Sequence, residues 1–256
     1  EAPGDVEALN CRLHALVDRP NLLIKVPGTP ECLGTIEDLL AEGIGVNITL
    51  LFAVDAYEEV ARAYLRALQR RTRQGQPPVV ASVASFFVSR IDTLVDQILE
   101  EKAAAAGARQ REELLGLRGK TAIANAKVAY QSFLEIFSEE AFGPLAAAGA
   151  RVQRPLWAST STKNPAYPDV LYVEPLIGRD LVNTLPMETL EAFLDHGKVV
   201  PNSVELGLEE ARWQLRRLEE CGVSMRAVTD QLLADGIAKF VEPYDRLLAA
   251  LQEKRR

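Results

Sequence analysis

Short apolar runs alternate along the chain with longer stretches in which apolar residues recur every three or four positions. Residues 5–19 read as an amphipathic helix. The run Leu22-Leu-Ile-Lys-Val26 has strand length and is stopped by Pro27-Gly28. Residues 31–42 follow as a helix closed by Gly43, and Val46-Asn-Ile-Thr-Leu-Leu-Phe52 as a second strand. A helix over 53–73 leads through the loop Gln74-Gly-Gln-Pro-Pro78 to a third strand over 79–87. Helices are predicted over 88–106 and 111–142, with strands over 154–158 and 170–173. From 187 the pattern is helical: 187–196, 203–220, 224–234 and 237–253, with Gly197, Gly222 and Gly236 placed as helix ends.

Strands alternating with helices predict a parallel sheet covered by helices, either a doubly wound open sheet or a (β/α)₈ barrel. Polar spacing favours the barrel. Asn47 and Thr49, Ser85 and Phe87, and Trp157 and Ser159 are each two positions apart, which places each pair on one face of its strand. Lys25 interrupts an otherwise apolar strand. A buried lysine is costly unless it is used, and a neutral lysine amine can form a Schiff base with a carbonyl substrate. Lysine ordinarily titrates near 10.4, so an amine neutral at pH 7 to 8 requires about 3–5 kcal/mol from its surroundings. Burial beneath a ring of loops would provide this. The alternative is an edge strand whose lysine reaches past its end to water. A complete barrel has eight strands, and the pattern yields five with a long helical tail.

Composition narrows the picture. The 256 residues carry a net charge of −7, which speaks against nucleic acid as a partner and requires a local positive site for any anionic substrate. No apolar stretch is long enough to span a bilayer. Three scattered cysteines, Cys11, Cys32 and Cys221, argue against disulfides or a zinc site. The opening Glu1-Ala-Pro-Gly-Asp5 lacks the basic end and apolar centre of a secretion signal, so a cytoplasmic protein is expected.

Several segments, in order across nearly the whole chain, resemble the transaldolase family, specifically its longer bacterial type. They are residues 17–30 around Asn21-Leu-Leu-Ile-Lys-Val-Pro-Gly28, Gly43-Ile-Gly-Val-Asn-Ile-Thr-Leu-Leu-Phe52, Ser82-Val-Ala-Ser-Phe-Phe-Val-Ser-Arg-Ile-Asp92 and residues 119–127. Arg154-Pro-Leu-Trp-Ala-Ser-Thr-Ser-Thr-Lys-Asn-Pro165, Val182-Asn-Thr-Leu-Pro186, residues 227–233 and residues 236–240 continue the likeness. The resemblance implies an α/β barrel of the TIM type over 1–256, its N-terminal strands missing, with 187–256 as a helical extension packed on it. It implies Schiff-base transfer of a dihydroxyacetone unit from sedoheptulose 7-phosphate to glyceraldehyde 3-phosphate in the pentose phosphate pathway. No metal or organic cofactor is implied. Phosphorylated sugars are the expected partners, and a homo-oligomer is left open.

Carried over by residue, Lys25 is similar to the Schiff-base lysine and Thr49 to the residue holding the catalytic water. Asn47 matches the residue bonding substrate hydroxyls, and Ser85 and Phe87 those beside the dihydroxyacetone moiety. Arg90 matches the phosphate-binding arginine, whose fork geometry suits phosphate. Ser159 matches a second phosphate ligand, while Ser161 stands where the family has another arginine, and Lys163 is the candidate for that charge. The family's first-strand Asp and third-strand Glu have no clear counterpart, although Glu1-Ala-Pro3 is similar to the third-strand pattern. Asp55 and Glu31 follow strands but do not match the family's acid–base residues. Two rival functions remain: a Schiff-base aldolase of the same barrel group, and a non-catalytic sugar-phosphate-binding truncated barrel.

Overall fold

The computed structural model describes residues 3–254, with side chains at 7–239 and 241–254; Glu1 and Ala2 lie outside the described residues. Five strands form one parallel sheet in strictly sequential order: β1 (Ile24–Pro27), β2 (Val46–Leu51), β3 (Ser82–Phe87), β4 (Arg154–Ala158) and β5 (Val182–Asn183). A sequential order with no reversal point is the winding of a barrel rather than of a doubly wound sheet. Among the described residues the sheet is not closed, and β1 and β5 are its edges.

Helix α1 (Pro3–Val17) precedes β1, and α2 (Leu33–Ala41), α3 (Val54–Arg73) and α4 (Ser89–Ala104) run between the strands. The predicted helix over 111–142 is instead three: α5 (Ala108–Gly116), α6 (Thr121–Ile136) and α7 (Glu139–Ala147). Gly119 breaks the run with φ +69, and Ser138 caps α7 by accepting the Ala141 N–H. The predicted strand over 170–173 is a turn: Val170, Tyr172 and Val173 are buried by packing rather than by ladder pairing, and the fifth strand lies later, at 182–183.

Three helices end the chain: α8 (Met187–His196), α9 (Leu208–Glu220) and α10 (Met225–Lys254). Gly236 does not end a helix as predicted. It lies within α10, where a Cβ would come 2.9 Å from Leu50 Cδ2, so its absence lets the helix approach the end of β2. Beyond it, Val241, Tyr244, Leu248 and Leu251 are exposed. The cysteines are free, and no described helix is long and apolar enough to cross a membrane.

One core unites the sheet and its helices. Ile24, Val26, Val46, Ile48, Ala84, Phe86 and Trp157 face it, with Ile36, Leu39, Tyr57 and Val95 packed against them. Gly28 ends β1 inside this packing: a Cβ there would overlap Leu51 Cδ2 and lie 3.1 Å from Ile48 Cγ2, and both neighbours are fully buried. Gly28→Ala is therefore expected to destabilise the fold by about 1–3 kcal/mol, through overpacking. Urea unfolding checks this as a lower midpoint with an unchanged slope.

Candidate active site

Side chains alternate across a strand, and parallel pairing in register makes that alternation common to the sheet. Lys25 pairs with Asn47, and Asn47 with Val83, so these three share a face. Ser85 and Phe87 lie on the same face of β3, and Thr49 on that of β2. Ile24 and Val26, on either side of Lys25, point the other way into the core. The strands thus bring Lys25, Asn47, Thr49, Ser85 and Phe87 to one surface.

Lys25 is exposed there. The burial expected around it is not found, because β1 is an edge of the described sheet. Next to it, Ser85 Oγ donates to Asn47 Oδ1 at 2.7 Å across β2 and β3. That bond orients the amide and presents its Nδ2 as a donor. Thr49 is 3% exposed, and its hydroxyl has no hydrogen-bond partner among the described residues. A bulge supports this arrangement. Ile48 pairs with Ala84 and Leu51 with Phe86, so Thr49 and Leu50 share one step of the ladder, with Leu50 at φ +61. None of the strand positions on this face is Asp or Glu.

The far end of β3 leads directly into α4, where Arg90 is the second residue. Its guanidinium lies over the Phe87 ring at 5.4 Å, and Phe87 in turn contacts Phe52 at 5.1 Å between centroids. Two main-chain bonds tie this helix start to the end of β4: Val88 N–H to Ala158 O and Ser89 N–H to Ser159 O, both 2.9 Å. Ser159 is held at φ +54 just past the strand. Lys163 is exposed and donates to Ser161 Oγ at 2.7 Å, so the lysine is tied to the serine that stands in the arginine position. Arg90, Ser159 and Lys163 thus belong to neighbouring segments at the strand ends, where a helix N-terminus also favours anions.

One sequence expectation is corrected. Trp157 does not lie on the lysine face. It pairs with Phe86, meets that ring edge-on at 6.0 Å and donates its indole N–H to Leu176 O at 3.0 Å, inside the helix-covered core. A cleft between α9, α10 and the ends of β1 and β2, lined in part by Gly28, Leu50, Phe52, Leu215, Met225 and Leu233, contains none of the predicted site residues.

The sequence reading also missed a buried polar cluster. Asp92 and Asp96, one turn apart on α4, are 1% and 7% exposed. Asp92 accepts from Ala122 N–H at 2.7 Å and from the Tyr172 hydroxyl at 3.0 Å. Asp96 accepts from Gly119 N–H at 3.0 Å and from the Tyr167 hydroxyl at 2.6 Å. Each carboxyl therefore joins the start of α6 to the loop between β4 and β5. Burial pushes the Asp92 carboxyl up to about 7, with the Asp96 charge adding to it and the Ala122 and Tyr172 bonds opposing it. Burial likewise raises Asp96, against the Tyr167 and Gly119 bonds. The available signal was two acids set among the apolar helix positions Ile91, Val95 and Leu99.

A singly wound parallel sheet with a lysine, an amide and hydroxyls on one face, and an arginine at the following helix start, places the chain among α/β proteins of the barrel type. The chain matches the family described as Transaldolase/Fructose-6-phosphate aldolase over residues 7–251. It is 50% identical over 241 residues to a transaldolase of Thiobacillus denitrificans, covering 94% of this chain and 65% of that protein. Transaldolases of Trichodesmium erythraeum (44% over 247 residues, 95% of this chain and 65% of the relative) and Thermobifida fusca (47% over 234 residues, 91% and 62%) are similar. The chain belongs to the transaldolase/fructose-6-phosphate aldolase family, and it spans a little under two thirds of the length of these relatives.

Asp92 makes stability depend on pH with a definite sign. Its folded pKa, near 7, lies above the ordinary carboxylate value, so the folded chain holds this proton more tightly. The resulting contribution is complete below about pH 4 and is lost as pH rises from about 4 to 7. Asp92→Asn removes that titration and keeps an acceptor oxygen. The melting temperature of the parent chain should therefore fall relative to the variant across this window; a constant difference would contradict the assignment.

Proposed function

We propose that the chain carries the Schiff-base half of a transaldolase site. The observation behind this reading is the gathering of Lys25, Asn47, Thr49 and Ser85 on one sheet face, in a chain of this family. The Lys25 Nζ attacks the ketose carbonyl of sedoheptulose 7-phosphate to give a carbinolamine, which loses water to form the imine. Removal of a hydroxyl proton then breaks the carbon–carbon bond, and the protonated imine takes the electron pair. Erythrose 4-phosphate leaves. The enamine on Lys25 adds to glyceraldehyde 3-phosphate, and hydrolysis releases fructose 6-phosphate. No metal or organic cofactor is needed in this scheme.

Each side chain has a part in it. The Asn47 Nδ2 donates to substrate hydroxyls, and Ser85 fixes that amide while bordering the three-carbon unit. The unpartnered Thr49 hydroxyl holds the water that is exchanged during imine formation. Phe87 forms an apolar wall and carries Arg90, which grips the phosphate with Ser159 and Lys163. The acid–base steps require a carboxylate near the amine. None is on the described strand positions of this face, and the family's first- and third-strand carboxylates are the groups suited to the task. The family description also names fructose-6-phosphate aldolase, which favours one second reading: release of the three-carbon unit to water rather than to an acceptor sugar. Product analysis with and without an acceptor aldehyde separates the two. A soluble protein working on phosphorylated sugars in the cytoplasm accords with both.

Incubation with fructose 6-phosphate followed by borohydride reduction should leave a mass adduct on Lys25, absent from Lys25→Met. Folded parent chain that gives no adduct would reduce the site to sugar-phosphate binding. Replacing Arg90 by Met is expected to weaken fructose 6-phosphate binding by roughly ten-fold or more, as for loss of a charged hydrogen bond. Lys163→Met should produce a smaller, several-fold loss that fades at high salt. Calorimetric titration checks both, and an unchanged affinity in Lys163→Met would remove that lysine from the site.

A further inference from the structure

We infer that Asp92 is a positioning residue for phosphate recognition, holding the loop that carries Ser159 and Lys163 against the helix that carries Arg90. The inference rests on the phosphate site proposed above and adds to it the part that sets its geometry. Asp92 is two residues past Arg90, in the first turn of α4, and faces inward while Arg90 lies over Phe87. Its two oxygens reach different segments: one takes the Ala122 N–H at the start of α6, the other the Tyr172 hydroxyl in the β4–β5 loop. Asp96 repeats the arrangement one turn later with Gly119 N–H and Tyr167. Together with the bond from Ser89 N–H to Ser159 O, these contacts attach the loop to α4 at Ser159 and again beyond Lys163.

Stability alone does not favour this construction. Two carboxylates buried one turn apart lose their hydration and repel each other, and apolar side chains of similar volume commonly hold such a position at least as well. A carboxylate, however, fixes two donors at hydrogen-bond distance and in set directions, and Tyr172, itself 2% exposed, has its hydroxyl held by one. The arrangement therefore specifies the spacing between the guanidinium and the loop ligands, on which multidentate anion binding depends.

The test uses Asp92→Ala, Asp92→Asn and Tyr172→Phe, with Tyr64→Phe as a control. The Tyr64 hydroxyl is also buried, but it bonds the carbonyls of Val80 and Arg151 instead. Two quantities are measured: the affinity for inorganic phosphate and fructose 6-phosphate, and borohydride trapping on Lys25 with dihydroxyacetone, which has no phosphate. Asp92→Ala and Tyr172→Phe should weaken both phosphate ligands by about three- to ten-fold, as for loss of one buried hydrogen bond, and leave dihydroxyacetone trapping unchanged. Asp92→Asn, whose amide oxygen still accepts the Ala122 N–H and whose NH2 can donate to the Tyr172 hydroxyl oxygen, should recover most of the affinity, and Tyr64→Phe should alter neither quantity. Equal losses in phosphate binding and in dihydroxyacetone trapping would mark Asp92 as a folding residue and overturn the inference. So would parent-like phosphate affinity in Asp92→Ala and Tyr172→Phe. A parent chain that binds neither phosphate nor fructose 6-phosphate would overturn the phosphate site itself, and the inference with it.

Discussion

Period-two alternation, locked across neighbouring strands by parallel pairing, is the constraint on which the molecule depends. Core packing fixes the register: Ile24, Val26, Val46, Ile48, Ala84 and Phe86 must all meet the helices. A slip of one residue would invert every strand. With the apolar set fixed, the intervening positions have no choice of direction, and Lys25, Asn47 and Ser85 emerge together on the other face. The chemistry of Lys25, Asn47 and Ser85 is placed by the core, although none of these three is among its apolar members.

The start of α4 is the second organising point. Strand β3 delivers Arg90 there, main-chain bonds from Val88 and Ser89 attach the end of β4, and Asp92 and Asp96 gather the start of α6 and the loop beyond Ser159. Four segments distant in sequence therefore meet at the first two turns of one helix. The local charge also matters in a chain of net charge −7: Lys25, Arg90 and Lys163 supply positive groups where the strand positions offer no acid.

Some of this was legible in the sequence for simple reasons. The first four strands are short apolar runs with clear breaks, and their polar positions at spacing two gave the face shared by Asn47, Thr49, Ser85 and Phe87. The fifth was not legible: Val182–Asn183 is only two residues long, while Val170-Leu-Tyr-Val173 has the composition of a strand but is buried as a turn. Trp157 misled because spacing alone cannot tell which of two faces a pair occupies; its partner Phe86 decides that. The role of Gly236 was hidden for a different reason, since glycine reads locally as a helix end and its contact with Leu50 is tertiary. Asp92 and Asp96 lacked any local sign of their partners, which lie from 23 to 80 residues away.

The position of β1 at the border of the described sheet gives the lysine an unusual dependency. That border presents main-chain N–H and C=O groups to whatever backbone lies alongside, at the roughly 4.8 Å spacing of adjacent strands. A segment added there would bring its own alternate side chains level with Lys25 in the same step that satisfied the main chain. Its register would then decide which functional group becomes the amine's nearest neighbour, so closing the sheet and tuning the nucleophile would be one event.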